Sequence, residues 1–339
     1  MKALVIEKPG SVILKRRPRL LAGQGDVVIR PLLVGICGTD LDILDGTIDP
    51  GYVRFPLVPG HEFSGEVVSA GPASRLSPGD RVVAEGVIPC GHCAECAQGN
   101  TNRCNTYDEL GFIRDGAMAQ RLVVPERLVH RLADAVSLES GALVEPAAVV
   151  LRALLLSKPT PGRRILVIGD GTVALLAARL LRLWSPSSVT VLGRRAAQAG
   201  LATLAGADRF ETDAHALEPA FDLIVEAAGA AEAVQATVRL ATRGATIVLL
   251  GYPGNDVAVP FRVDDIVNKD LTILGSFSYT SAAWRQVVEL LNSGRLDLGF
   301  LVTHRYPLER FADAFEAVRH SDGARGKVII EIPSDVRMP

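Results

Sequence analysis

Four cysteines stand at Cys90, Cys93, Cys96 and Cys104, in the run CGHCAECAQGNTNRC. Thiolates two residues apart can bend round one metal at about 2.3 Å, and four of them leave no open position for water or substrate. The spacing therefore suits a structural zinc that braces a lobe. Two disulfides or an iron-sulfur cluster are the alternatives. Against them, we expect no secretory leader, because Met1 runs straight into the strand-like KALVIE, and the run lacks the Cys-Pro ending of ferredoxin-type sequences. The fifth cysteine, Cys37 in GICGTDLDIL, precedes His61 and Glu62 of PGHEFSG. A lone intracellular cysteine is commonly a small buried hydrophobe, but Cys, His and carboxylate with one position left open is the composition of a catalytic zinc site.

The elements that must position these residues change character along the chain. Runs such as DVVIRPLLVGICG, FSGEVVSAG and DRVVAEGVI are short, rich in Val and Ile and punctuated by Gly and Pro, which predicts a barrel-like β domain. LVEPAAVVLRALLL reads as a helix leading out of it, stopped by KPTPG. Apolar strands without polar alternation then alternate with amphipathic helices, from RRILVIG to ATIVLLG, which predicts a doubly wound parallel sheet in an α/β chain. In ILVIGDGTVALL, Gly169, Gly171 and Ala174 form a GxGxxG/A pattern between a strand and a helix, so the amides of Thr172, Val173 and Ala174 can hold a pyrophosphate. The next strand ends in VTVLGRR, with Gly193 where an NAD enzyme presents an acid to the ribose, followed by Arg194 and Arg195. Forked cations without the acid favour NADP over NAD; a solvated helix start is the alternative for the two arginines.

Composition narrows the function classes. A chain of 339 residues with 48% hydrophobic content accommodates two domains, and its formal net charge of -2 offers no basic field for nucleic acid. No apolar run approaches the roughly 20 residues needed to span a bilayer. We expect a protein of a reducing, cytoplasmic compartment without a membrane partner.

Taken together, GICGTD, PGHEFSGEV, the four-cysteine lobe, LVEP, the glycine fingerprint and the closing GKVII resemble the zinc-containing medium-chain alcohol dehydrogenases, in the sorbitol and alditol-phosphate dehydrogenase branch. The resemblance implies a GroES-like catalytic domain over 1–149, a Rossmann domain over 150–290 and a C-terminal return to the catalytic domain over 291–339. It implies that Cys37 and His61 hold catalytic zinc, that Glu62 is a ligand or exchangeable near-ligand, and that Glu145 of LVEP binds zinc directly or through water. Thr39 resembles the family's hydroxyl relay and Asp40 the acid that orients the zinc histidine; an ordinary turn hydroxyl and a helix cap are their plainer readings. A homodimer or homotetramer is implied by analogy alone.

Some positions depart from the family. Asp42 stands where many relatives end the proton relay with histidine, and Ala117, Met118, Ala119, Gln120 and Arg121 replace Gly-Phe-Ala-Glu-Tyr. Arg114 either faces an anionic or hydroxylated substrate or sits in an exposed loop. The expected activity is interconversion of a secondary alcohol and a ketone on a polyol, sugar alcohol or cyclitol. YDELGF resembles a segment of 2-deoxy-scyllo-inosamine dehydrogenases, which adds an aminocyclitol; threonine is a further substrate candidate. A non-catalytic, zinc-stabilised nucleotide-binding protein is the reading from another class.

Overall fold

The computed structural model describes residues 1–18, 20–254, 256–320 and 323–333. The chain divides into two units: Met1–Glu145 with Thr280–Ser321 and Lys327–Pro339, and Pro146–Tyr279 with Asp322–Gly326. The predicted exit helix is present as Val144–Ser157, and the division between the units falls in its first turn, after Glu145. The first unit takes up the chain again at Thr280. Helix Ser281–Asn292 belongs to the first unit, held there by hydrogen bonds from Ser281 to Thr101 Oγ1 (3.0 Å) and to Glu85 Oε2 (2.5 Å).

The first unit is built on a seven-stranded sheet. Its spatial order is Val302–Pro307, Lys327–Glu331, Asp26–Gly35, Glu62–Ala70, Arg81–Ala84 and Val129–Arg131, with Leu122–Pro125 also pairing on Asp26–Gly35. Only the outer pair, Val302–Pro307 with Lys327–Glu331, is parallel. Pro31 cannot donate to a ladder, and the register against Glu62–Ala70 shifts beside it, between Pro31 and Leu33. Gly65 allows the two strands to close, since a Cβ there would lie 2.4 Å from the Arg30 carbonyl oxygen. The core gathers Val27, Ile29, Val34, Phe63, Val67, Val82, Leu122 and Ile330, all buried.

The second unit holds a six-stranded parallel sheet, in the spatial order Arg209–Glu211, Ser188–Leu192, Arg164–Ile168, Phe221–Glu226, Ala241–Leu249 and Thr272–Gly275. Counted along the chain this is 3-2-1-4-5-6, the order of a doubly wound nucleotide-binding sheet, whose ligands sit beyond the strand ends where the order reverses. The reversal falls at Arg164–Ile168, whose last four residues are buried. Helix Thr172–Leu181 follows it and buries Ala174, Leu175, Leu176, Ala177 and Ala178.

Candidate metal centre and nucleotide loop

Two neighbouring strands bring the predicted ligands together. Gly35 ends one strand and pairs in register with Glu62, which begins the next. Cys37 lies just beyond the first strand, as the residue capping helix Gly38–Asp45, and His61 lies just before the second. The Cys37 sulfur, a His61 nitrogen and a Glu62 oxygen consequently all lie within 4.8 Å of one another. Asp40 locks this arrangement from below. Its fully buried carboxylate accepts hydrogen bonds from the backbone N–H groups of Cys37 (2.9 Å) and Gly60 (3.1 Å), clamping both ligand-bearing segments. The carboxylate stands 3.7 Å from His61 Nδ1, so it faces that ring nitrogen without a full hydrogen bond. Gly60 is obligatory here: its φ is +98° and a Cβ would meet Val34 at 2.9 Å.

The electrostatics of the group call for a cation. Burial opposes a charged His61, but the Asp40 carboxylate, then Cys37 and Glu145, outweigh it and hold the ring well above the ordinary imidazole range. A soft thiolate, an imidazole and a carboxylate in such a field suit zinc. Sequence reasoning missed Lys327. Its ammonium lies 2.5 Å from Glu62 Oε2 and 3.2 Å from the Ile36 carbonyl, with both side chains of the ion pair buried. Gly35 makes the pairing possible, because a Cβ there would lie 2.5 Å from the same Glu62 oxygen. Glu62 is thus shared between the metal group and an ammonium. Glu145 stands outside the 4.8 Å group; burial, then the neighbouring Glu62 and Glu109, push its carboxyl up to about 8 despite the attraction of His61.

The other flagged residues sort themselves by position. Thr39 Oγ1 lies 3.5 Å from the Cys37 sulfur, accepting its S–H. Asp42 is exposed and feels Asp45 and Arg319 rather than the metal group. Arg114 is committed to Asp108 at the surface, Nε to Oδ2 2.6 Å. Ala117, Met118 and Ala119 are buried in the core of the unit, so their departure from the family pattern is a change of packing.

In the lobe, the Cys90, Cys93, Cys96 and Cys104 sulfurs also lie within 4.8 Å of one another, and all are free thiols, which removes the disulfide alternative. Backbone N–H groups of His92 and Cys93 draw the Cys90 thiol down to about 5, whereas desolvation pushes Cys96 up to about 12. Four sulfurs this close cannot all ionise unless a cation offsets them, so the donor set fits a closed zinc site.

The second unit carries the nucleotide loop. Gly169 has a φ of +127° and approaches the Ala227 backbone so closely that a Cβ would sit 3.0 Å from its carbonyl. Gly171 caps helix Thr172–Leu181 and has open space where a side chain would stand, leaving the first-turn amides of Thr172, Val173 and Ala174 accessible to an anion. At the end of the second strand the arrangement differs from the sequence expectation. The space beside Gly193 is filled by Asp170 from the glycine loop, since a Cβ at 193 would lie 2.7 Å from Asp170 Cβ and 2.7 Å from Phe210. Asp170 Oδ2 accepts from the backbone N–H groups of Arg194 and Arg195, both at 2.9 Å, and Arg195 Nη2 donates to Asp170 Oδ1 at 2.9 Å. Arg195 is therefore already paired, while Arg194 is exposed. A third arginine, Arg325, joins them: its N–H donates to Gln198 Oε1 (2.7 Å), and it lies close enough to Arg195 for their like charges to interact. Nothing in the local pattern around GARGK signals this.

Comparison with known proteins follows the same division. The family described as "Alcohol dehydrogenase GroES-like domain" matches residues 23–134, and that described as "Glucose dehydrogenase C-terminus" matches 138–332. L-threonine 3-dehydrogenase of Shewanella woodyi is 31% identical, over 97% of this chain and 99% of its own. A zinc-binding dehydrogenase of Sinorhizobium meliloti 1021, solved with NADP, superposes with a TM-score of 0.90 at 29% identity, covering 97% of this chain and 98% of that one. Galactitol-1-phosphate dehydrogenase from Escherichia coli gives 0.86 at 30% identity, covering 98% of this chain and 100% of that one.

Proposed function

Because the chain belongs to the zinc-containing medium-chain alcohol dehydrogenase family, we propose that it interconverts a secondary alcohol and a ketone on a polyol, sugar alcohol or cyclitol, with NADP preferred over NAD. The observation that carries this reading is the meeting of Cys37, His61 and Glu62 within 4.8 Å at two adjacent strand ends, with the Thr39 hydroxyl beside the cysteine. Zinc, when bound, supplies Lewis acidity to the reacting hydroxyl, and the nicotinamide exchanges the hydride. The protein's own residues do the rest. Cys37 and His61 would hold the metal, Glu62 would serve as a ligand or exchangeable near-ligand, Glu145 would bind directly or through water, and Lys327 restrains Glu62 in a buried ion pair. Thr39 would relay the proton released from the substrate hydroxyl, accepting it on Oγ1 while its own hydroxyl proton passes on to water. Cys90, Cys93, Cys96 and Cys104 hold a second, structural zinc.

For the cofactor, the amides of Thr172, Val173 and Ala174 receive the pyrophosphate across Gly169 and Gly171, and Arg194 with Arg325 supports a 2′-phosphate beside Gly193, Arg195 being shared with Asp170. Threonine is the second substrate reading, supported by the similarity to L-threonine 3-dehydrogenase. A cysteine-rich zinc lobe suits a reducing, cytoplasmic compartment, where thiolates stay available to a metal. A homodimer or homotetramer is proposed by analogy with the family alone. Among the described residues no helix is long and apolar enough to cross a membrane.

Metal counting with turnover tests the proposal. The wild type should hold two zinc ions per chain and oxidise at least one member of a panel of polyols, cyclitols, aminocyclitols and threonine. Cys37→Ala should keep one zinc and lose nearly all turnover. Cys93→Ser should release the other and lower the melting temperature. Full turnover by Cys37→Ala after loss of its metal would overturn the assignment.

A further inference from the structure

A buried carboxylate in the parallel sheet has no task in the mechanism above. Glu226 is the last residue of strand Phe221–Glu226, pairs in register with Ile168 at the end of the neighbouring strand, and is fully buried. A buried carboxylate ordinarily answers to a cation. This one answers to backbone amides: Oε1 accepts from the N–H groups of Ala228 and Gly229, both at 2.8 Å. Oε2 is closed off from solvent and completes no hydrogen bond among the described residues. Burial holds the carboxyl above its ordinary range, opposed by the N–H groups of Gly229, Ala228 and Gly251 and by no charged side chain. What surrounds Oε2 is a second loop. Gly251 follows the adjacent strand Ala241–Leu249, and a Cβ there would lie 2.7 Å from Glu226 Oε2 and 2.3 Å from the Gly229 nitrogen. Gly229 has a φ of +66°, and its own Cβ would lie 2.9 Å from the Tyr252 nitrogen. The Leu250 N–H donates to the Glu226 carbonyl at 2.9 Å. The two loops are thus in backbone contact, with the carboxylate where they meet. On its other side the first loop touches the glycine loop, since the Ala227 N–H donates to the Ile168 carbonyl at 2.8 Å and Gly169 packs on the Ala227 carbonyl.

A doubly wound sheet takes a dinucleotide across the reversal of its strand order, one mononucleotide to each half. In the cofactor reading above, the glycine loop and the arginines serve the adenosine half, which leaves the nicotinamide nucleotide to the half that opens with Phe221–Glu226. Resting on that reading, we propose that Glu226 is a positioning residue for the nicotinamide half of the cofactor: its carboxylate turns the Ala228 and Gly229 amides inward and fixes loops 227–229 and 250–252 against each other as one platform. A carboxylate suits this task and a carboxamide does not. Glutamine could accept from Ala228 and Gly229, but its NH2 group would then be turned on the Gly251 N–H, donor against donor.

The test compares two ligands that differ only in the nicotinamide ring, NADP and 2′-phospho-ADP-ribose, by isothermal titration of the zinc-loaded, full-length protein. Glu226→Gln should weaken NADP by about tenfold or more, the worth of a hydrogen bond to a charged group. The same variant should bind 2′-phospho-ADP-ribose within about twofold of the wild type. Equal losses for the two ligands would make Glu226 a support of the nucleotide fold as a whole, and unchanged NADP binding would leave it without a part in the site; either result overturns the proposal. Hydrogen exchange of the wild type needs no variant and decides should Glu226→Gln fail to fold. NADP should slow exchange at 227–229 and 250–252 beyond what 2′-phospho-ADP-ribose does, and equal protection by the two would also overturn the proposal. If the protein favours NAD, then NAD and ADP-ribose are compared in the same way, so that a wrong choice between the two cofactors leaves the test of Glu226 intact. Failure of the wild type to bind any of the four would sink the nucleotide reading itself, and this inference with it.

Discussion

At the scale of single residues, the metal group is held by partners that are not ligands. Asp40 spends its carboxylate on two backbone amides, and Lys327 spends its ammonium on Glu62 from 265 positions away, the difference between 327 and 62. The first was legible in part: the local motif GICGTD marked Asp40 as a cap or as a partner of the histidine, but not its bond to the Gly60 amide. The second was not: a lysine opening an apolar strand has no local pattern that reveals what it pairs with across a sheet. The pair is buried, so removing one member should hurt far more than removing both. Lys327→Met leaves a buried, unpaired carboxylate and should cost about 3–5 kcal/mol of stability in chemical denaturation of the zinc-loaded protein. Adding Glu62→Gln should recover more than half of that. No recovery in the double variant would show that Lys327 contributes by packing rather than by pairing with Glu62.

At the scale of elements, the glycine loop was readable because a strand, a turn and a helix agreed, but the chemistry at its edge depended on a side chain crossing between loops. Gly193 suggested a missing acid; the fold supplies one from Asp170, and in doing so neutralises one of the two arginines. Cofactor choice should therefore respond unequally to the two. Arg194→Ala should weaken NADP relative to NAD by about tenfold, the worth of one charge-assisted contact, and Arg195→Ala should do less. Asp170→Asn, which releases Arg195, should increase the preference for NADP. Dissociation constants of both nucleotides by fluorescence titration check this, and a larger loss in Arg195→Ala than in Arg194→Ala would place the phosphate elsewhere. Gly193→Asp should lower the melting temperature instead of switching the cofactor, because its side chain meets Asp170 and Phe210 at 2.7 Å.

At the scale of the whole molecule, the two units differ in how much of the chain each needs. The parallel sheet of the second unit is complete within 146–279, and its strands follow one another along the sequence, which is why alternation of strands and helices made it legible from composition and periodicity. The first unit is discontinuous. Its strand Lys327–Glu331 lies between Asp26–Gly35 and Val302–Pro307, so two of seven strands arrive from the far end of the chain; the helix and final strand in YPLERFADAFEAVRHSDGARGKVIIEI suggested a return, but no local pattern gave its register. Val328, Ile329 and Ile330 on the returning strand are at most 1% exposed. Burying each contributes about 1.5–3 kcal/mol, an upper estimate comparable in sum with the 5–15 kcal/mol that holds a typical domain together. A fragment spanning 1–145 also lacks Lys327 and exposes the open edge of Asp26–Gly35. It should therefore aggregate or remain without a cooperative thermal transition even with zinc, while a fragment spanning 146–279 should unfold cooperatively by circular dichroism. A sharp zinc-dependent melt of 1–145 would show that the returning strands complete the sheet without being needed to fold it.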